Sequence, residues 1–418
     1  MEKFAFMLLL LIGTFRLLGF DVPIGCSLTI SDISAVLKKR IIPVIQSQLP
    51  IENVLFQKIK KNVGVVISNN TIYIAARTGR HSGIYSVAEG TEPFSGKAAY
   101  GQPYTSMTYA FGTLELTDQA IEAAQAGDVK AIASILTVEI TALKDDFKLD
   151  LNRILHGAGT GKLCQANGTG ANSTALTVES SPSGGDATEY LCAGQYIQFG
   201  TGSTALISSV DSATGVTLAA GATWTNDIVI TKAYDAEAMG LAGIIDDGDN
   251  VATIQNLTRS GTPYANAFTY DTPTTLTEAN MIATYLKTTR YGGAKTIFMN
   301  TGLFAYYGSL LTSMKKTADL KEVLSGGWKG LEFMGGNVGV MLDFDTWSGY
   351  VQMVDFDALT LAEMSTPFAW LEADAHGGIL KRSSSNRTVW EGTLKYYFNL
   401  VARKFKSSAR MSAQTPVP

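Results

Sequence analysis

One helical stripe constrains this chain more than any other feature of its sequence. From Val129 the apolar residues Ile132, Leu136, Ile140, Leu143, Phe147, Leu151 and Ile154 recur at steps of three and four, which is one continuous face of an α-helix. Glu139, Lys144, Asp145, Lys148 and Asp150 mostly fill the other faces, and no glycine or proline interrupts the run. At 1.5 Å per residue such a helix is roughly 40 Å long, which is long for a globular domain. It acts as a ruler along which other elements must pack.

The residues that follow, RILHGAGTGKL (Arg153–Leu163), carry the glycines and lysine of a phosphate-cradling loop. That loop needs a first glycine where His156 stands and a hydroxyl where Leu163 stands, and it follows a strand rather than a helix. The glycines therefore read as a helix C-cap and turn.

Composition narrows the chemistry. With 46% hydrophobic and 17% charged residues among 418, the chain can bury two or three cores. A net charge of −4 and a pI near 5.5 argue against a dedicated nucleic-acid-binding domain. The three histidines, His81, His156 and His376, are far apart, and Cys26, Cys164 and Cys192 form no C-x-x-C pair. Neither a zinc site nor a disulfide framework follows from that spacing. No G-x-S-x-G elbow or H-E-x-x-H helix is present, so no catalytic residue, metal ligand or cofactor is assigned. Three acidic clusters remain: Asp343–Asp345 and Asp355–Asp357, both DFD, and DDGDN at Asp246–Asn250. In DDGDN the glycine stands third, where a calcium loop needs it sixth. The DFD pairs allow a cation at a strand end but read first as polar turn residues.

Along the chain the character changes several times. FAFMLLLLIG (Phe4–Gly13) is an apolar leader or an upstream extension, and Cys26 follows it. An amphipathic helix from Thr29 carries Lys38, Lys39 and Arg40 and ends near Pro43. Val63–Leu116 pairs strand-like arms around a polar, glycine-rich tip with Arg77, Arg80, Glu89, Glu92 and Lys97. An arm of that length has little core of its own and must pack on neighbouring copies. In Tyr104–Leu116, Met107, Tyr109 and Phe111 share one strand face. Between Arg153 and Arg259 there is no arginine, and short alternating runs with Asp/Asn/Gly turns indicate an inserted antiparallel β unit. From Thr272 helices and strands alternate. TLTEANMIATYLKTTRYGG is a helix capped by Thr275 or Thr277, and KTIFMN is a strand. The tail to Ser412 returns as a pair of strands, with His376 on a turn.

Taken in order, YAFGTLELTDQAIEAA, DLNRILHGAGTG, GLAGIIDDGDNVATIQNLTRSGTPYANA, VGVMLDFDTWSGYVQMVDFDAL and WLEADAHGGILKR resemble the major capsid proteins of tailed bacteriophages. The resemblance implies an α+β fold with a long spine helix, an extended β arm (the E-loop), an α/β A-domain and an inserted small β domain. It divides the chain into an apolar leader or upstream extension (1–26), an N-terminal arm (27–63), the E-loop (64–105) and a P-domain with the spine (106–165). The inserted β domain (166–234), a P-domain return (235–271), the A-domain (272–363) and a second return with the tail (364–418) follow. The function implied is self-assembly of an icosahedral virion shell around double-stranded DNA, formed in the host cytoplasm from pentamers and hexamers. Scaffold, portal and decoration proteins and non-specifically contacted DNA are the implied partners, with no small-molecule substrate. Arg77, Arg80, Glu89, Glu92 and Lys97 become subunit-interface candidates, and charges at such a rim set register more than strength. Lys97 also raises a covalent lysine–asparagine cross-link, for which the sequence names no partner. Two other readings stay open: an encapsulin-like cellular compartment, and an exported β-rich surface lipoprotein attached through Cys26.

Overall fold

The computed structural model describes residues 27–28, 54–92, 94–119, 122, 129–179, 181–231, 234–315, 332–333, 338–364, 367–371, 380–382 and 388–416, of which 27–28, 54, 129–138, 311–315, 332–333 and 380–382 are described by their backbone alone. The apolar leader, the helix expected from Thr29 with its basic triplet, and His376 lie outside those residues.

The spine helix spans Val129–His156. Its apolar stripe packs Phe147, Leu151, Ile154 and Leu155 onto Leu394, Tyr396, Phe398 and Leu400 of the long strand Val389–Ala402. That strand pairs antiparallel with Thr108–Thr117 along one edge. Along its other edge it takes Leu359–Glu363, Ala369–Trp370 and Leu380–Arg382 in turn. Ser27–Leu28 adds a parallel strand beside Glu115 and Leu116. Alternation along the sheet sends Leu394, Tyr396 and Phe398 to the helix and leaves Tyr109, Phe111 and Tyr397 on the opposite face.

The helix stops because a second backbone presses on its last turn. Gly157 N–H reaches back to the carbonyls of Arg153 and Ile154, each at 3.1 Å. Gly240 lies so close that a Cβ there would stand 2.5 Å from the carbonyl oxygens of both Ile154 and Gly157. Only glycine fits that approach. Gly159 and Gly161, at φ +85° and +80°, then turn the chain into the next unit.

Six antiparallel strands between Lys162 and Thr231 close into a barrel. Its own core includes Leu163, Leu176, Ile197, Phe199, Ile207, Leu218, Trp224 and Val229, with Phe199 and Trp224 stacked at 5.0 Å. The first barrel strand, Lys162–Ala166, begins ahead of the boundary that the sequence pattern drew at 166, because Ile228–Thr231 needs it as a partner to close the ring.

A six-stranded mixed sheet forms the α/β unit, in the order 268–270, 409–411, 351–354, 296–299, 338–342, 332–333. Its core includes Met281, Leu303, Phe304 and Tyr307 from two helices, Glu278–Thr289 and Thr301–Lys315. Thr277 caps the first helix by accepting from Asn280 N–H at 3.3 Å, and Gly292 and Gly293 close it at positive φ. In the tail, Leu380–Arg382 and Val389–Ala402 form the expected strand pair within the spine sheet, and Ala409–Met411 then crosses into this one. Leu359–Glu363 makes the reverse exchange. The two units are stitched together by strands that swap sheets.

Candidate functional site

The arm begins in a three-stranded sheet of Val66–Ser68, Thr71–Tyr73 and Tyr104–Ser106. Ile72, Ile74 and Met107 fix this base on Ala362 and Val401 of the spine sheet. Beyond it the two sides run as a hairpin. Thr78 N–H donates to Ala99 O at 2.9 Å and Ser82 N–H to Lys97 O at 3.1 Å. Gly83 and Gly96 face each other so closely that a Cβ on Gly96 would stand 2.1 Å from Gly83 N. At the tip Tyr85 stacks on Phe94, ring centres 3.9 Å apart.

Arg77, Arg80, Glu89, Glu92 and Lys97 are all exposed on this arm. Arg77 Nε donates to Gly79 O at 3.1 Å, Lys97 pairs through its backbone with Ser82, and Glu89 and Glu92 stand at the tip. What sequence reading missed is the apolar surface among them: Ile84 is 73% exposed, Phe94 62% and Tyr100 77%. The signal was present, as apolar residues without helical or strand period in a glycine-flanked segment. They were passed over for the charges beside them. An isolated arm exposing such side chains has nothing of its own to bury them against.

A groove of about 170 Å³ lies between the spine helix and the strand Thr108–Thr117, lined by Glu115, Glu139 and Asp146 together with Leu114, Leu116 and Leu143. Burial, with Asp145 next to it, pushes the Asp146 carboxyl above the usual range.

The acids of the DFD and DDGDN motifs hold the fold together through hydrogen bonds. Both DFD motifs are the same turn: Asp343 Oδ1 accepts from Asp345 N–H and Asp355 Oδ1 from Asp357 N–H, each at 3.1 Å. The first joins three units. Asn152 of the spine donates to Asp343 at 3.0 Å and to Asp345 at 2.6 Å, and Tyr190 of the barrel donates to Asp345. His156, fully buried, stands with Nε2 3.1 Å from Asp343 Oδ2, off hydrogen-bond alignment, and with Nδ1 3.0 Å from Gln352 Oε1. Burial alone would push the imidazole down, but Asp343, together with Asp345 and Gln352, holds its pKa above the usual value. Burial likewise opposes ionisation of Asp343, yet His156 holds it below the carboxylate range. The cavity flanking this junction, beside Arg153, Tyr190 and Asp345, is about 10 Å³, room for a single water.

In DDGDN, Asp246 is completely buried and accepts from the N–H groups of Gly248, Asn250 and Val251 at 2.9–3.2 Å. Arg410 Nη1 pairs with it at 2.6 Å. Arg259 donates to the carbonyls of Gly243 and Ala265 at 2.6 and 2.7 Å. Asp247, Asp249 and Asp271 bring carboxylate oxygens together at its rim, but Thr269, Ser412 and Arg410 already meet them.

Comparison with protein-family models and with curated proteins finds no match. Solved structures do match over nearly the whole chain. A subunit of the cyanophage A-1(L) capsid superposes with a TM-score of 0.52 at 13% identity, covering 89% of this chain and 95% of that one. The capsid of a native GTA particle gives 0.46 at 9% identity, over 89% and 94%. The SrpI encapsulin of Synechococcus elongatus gives 0.45 at 7%, over 92% and 96%. The last two fall below a shared-fold score. With the spine helix, projecting arm, α/β unit and returning strands all in place, the cyanophage match identifies the fold as that of the tailed-phage major capsid proteins.

Proposed function

We propose that the chain is the repeating subunit of a tailed-phage capsid, self-assembling through pentamers and hexamers into an icosahedral shell around double-stranded DNA. One observation carries the reading: an arm that exposes Ile84, Phe94 and Tyr100 projects from a subunit whose other parts each have their own core. Such side chains gain burial only against another copy. Charge suggests where. Arg77, Arg80 and Lys97 on the arm complement Glu115, Glu139 and Asp146 in the spine groove. We assign the groove of the neighbouring subunit as the seat of the arm. Individually weak contacts of this kind, repeated around a closed shell, reinforce one another.

The test is electron microscopy of the full chain after expression. Closed particles, or rings of five and six, are the expected result. Particles from the native source that hold a cargo protein and no DNA would move the reading to a cellular compartment. A chain that stays monomeric at about 100 µM would overturn both, since repeated contacts strengthen with concentration.

A further inference from the structure

Three segments bring cations together beside the end of the strand Val351–Val354. Lys60 and Lys295 both reach the Asp357 carboxylate, with side chains 52% and 59% exposed. Arg403 donates to the Asp357 carbonyl, and Lys404 Nζ donates to the Tyr291 carbonyl at 2.8 Å. Lys406 Nζ lies 5.7 Å from the centre of the Tyr291 ring. Arg290, exposed, ends the helix Glu278–Thr289 immediately before Tyr291. Gly292 ties the two halves: a Cβ there would be 3.6 Å from Asp355 Oδ2 and 3.9 Å from Lys404 Nζ. Two lysines thus hold the Asp357 carboxylate, Arg403, Lys404 and Lys406 are fixed on the carbonyls and ring beside it, Arg290 adjoins them in sequence, and the second acid, Asp355, is buried.

The rest of the chain shows the opposite bias. The barrel, Lys162–Thr231, contains Glu179, Asp186, Glu189, Asp211 and Asp227 against a single cation, Lys162. A net charge of −4 therefore conceals a segregated distribution. A polyanion is drawn to one part of the subunit and repelled by the other. Several of the patch cations are lysines, which bind phosphate as point charges without demanding a base sequence. Main-chain carbonyls hold Arg403 and Lys404 in place, so little side-chain entropy remains to be lost on contact.

We infer that this patch, around Lys295, Lys404 and Lys406, is the surface that lies against duplex DNA phosphates, and that the acidic barrel points away from them. The inference rests on the shell reading above.

The test uses the full chain held below its assembly concentration, as checked by sedimentation, with a random duplex of about 30 base pairs. Affinity is read by fluorescence anisotropy between about 50 and 200 mM salt. The triple variant Lys295→Gln, Lys404→Gln, Lys406→Gln is expected to flatten the slope of log affinity against log salt by about 2.7, at about 0.9 per phosphate contact. The arm variant Arg77→Gln, Arg80→Gln, Lys97→Gln removes the same charge and is expected to change the slope by less than about 1. If the triple variant misfolds, Lys404→Gln alone is read, with about 0.9 expected. Absence of wild-type binding, or equal loss from the two triple variants, overturns the inference. Tighter binding of poly-glutamate than of duplex at equal salt would reassign the patch to an acidic protein. Shell formation is scored separately by microscopy. Shells without a slope difference sink the DNA surface alone, and a slope difference without shells sinks the shell reading alone.

Discussion

Arg410 and Asp246 show how much of this subunit depends on pairs removed from water. Both side chains are essentially inaccessible, so deleting one leaves the other charged in a low-dielectric site. Arg410→Met is expected to destabilise the subunit by about 3–5 kcal/mol in urea unfolding, whereas Asp271→Asn at the rim should change it by less than about 1 kcal/mol. The His156–Asp343 pair adds a pH signature. The folded pKa of His156 is raised, so its share of stability is complete below about pH 6.5 and is lost as pH climbs through the folded value. The folded pKa of Asp343 is depressed, so its share is present above about pH 4 and is lost as pH falls through the folded value. The melting-temperature difference between wild type and His156→Gln should therefore shrink on the alkaline side of pH 6.5. A difference that is constant from about pH 6 to 9 would show that the imidazole is not charged in the fold.

Elements differ in how plainly the sequence announces them. The spine helix was legible because its stripe repeats seven times and its end carries glycines. The reason for that end was not, since Gly240 is eighty-odd residues away and acts by backbone proximity. Gly240→Ala is expected to cost about 1–3 kcal/mol through overpacking. At Gly261, where a Cβ meets nothing within 4 Å, the same change should stay within about 0.5 kcal/mol. The strand pair of the tail was legible, while the crossing of Ala409–Met411 into the other sheet was not, since only its pairing with Val351–Val354 assigns it there. The DFD motifs were readable as turns from side-chain chemistry alone, while their partners Asn152 and Tyr190 were not. On the arm, Arg77, Arg80, Glu89, Glu92 and Lys97 were legible as charges in a glycine-rich tip. The apolar residues between them, Ile84 and Phe94, were recognisable only once the fold showed them uncovered.

At the scale of the whole molecule, the described residues build three large cores and a small one at the base of the arm, and leave the tip of the arm outside all four. The barrel and the α/β unit each close on their own apolar residues, and the buried network around Asp343 and Asp345 clamps them to the end of the spine. The chain is thus a set of packed units with an arm that exposes Ile84 and Phe94, which the proposed assembly would bury against a neighbour. The most direct test replaces residues 79–98 by a two-residue Asn-Gly turn, which keeps the paired base at Thr78 and Ala99. Analytical ultracentrifugation then compares the two chains at equal concentration. The intact chain is expected to sediment as closed shells or capsomers, and the shortened chain as a folded monomer with an unchanged melting temperature. Equal assembly by both, or a shortened chain that no longer folds, would contradict the claim that the arm serves the neighbour rather than its own subunit.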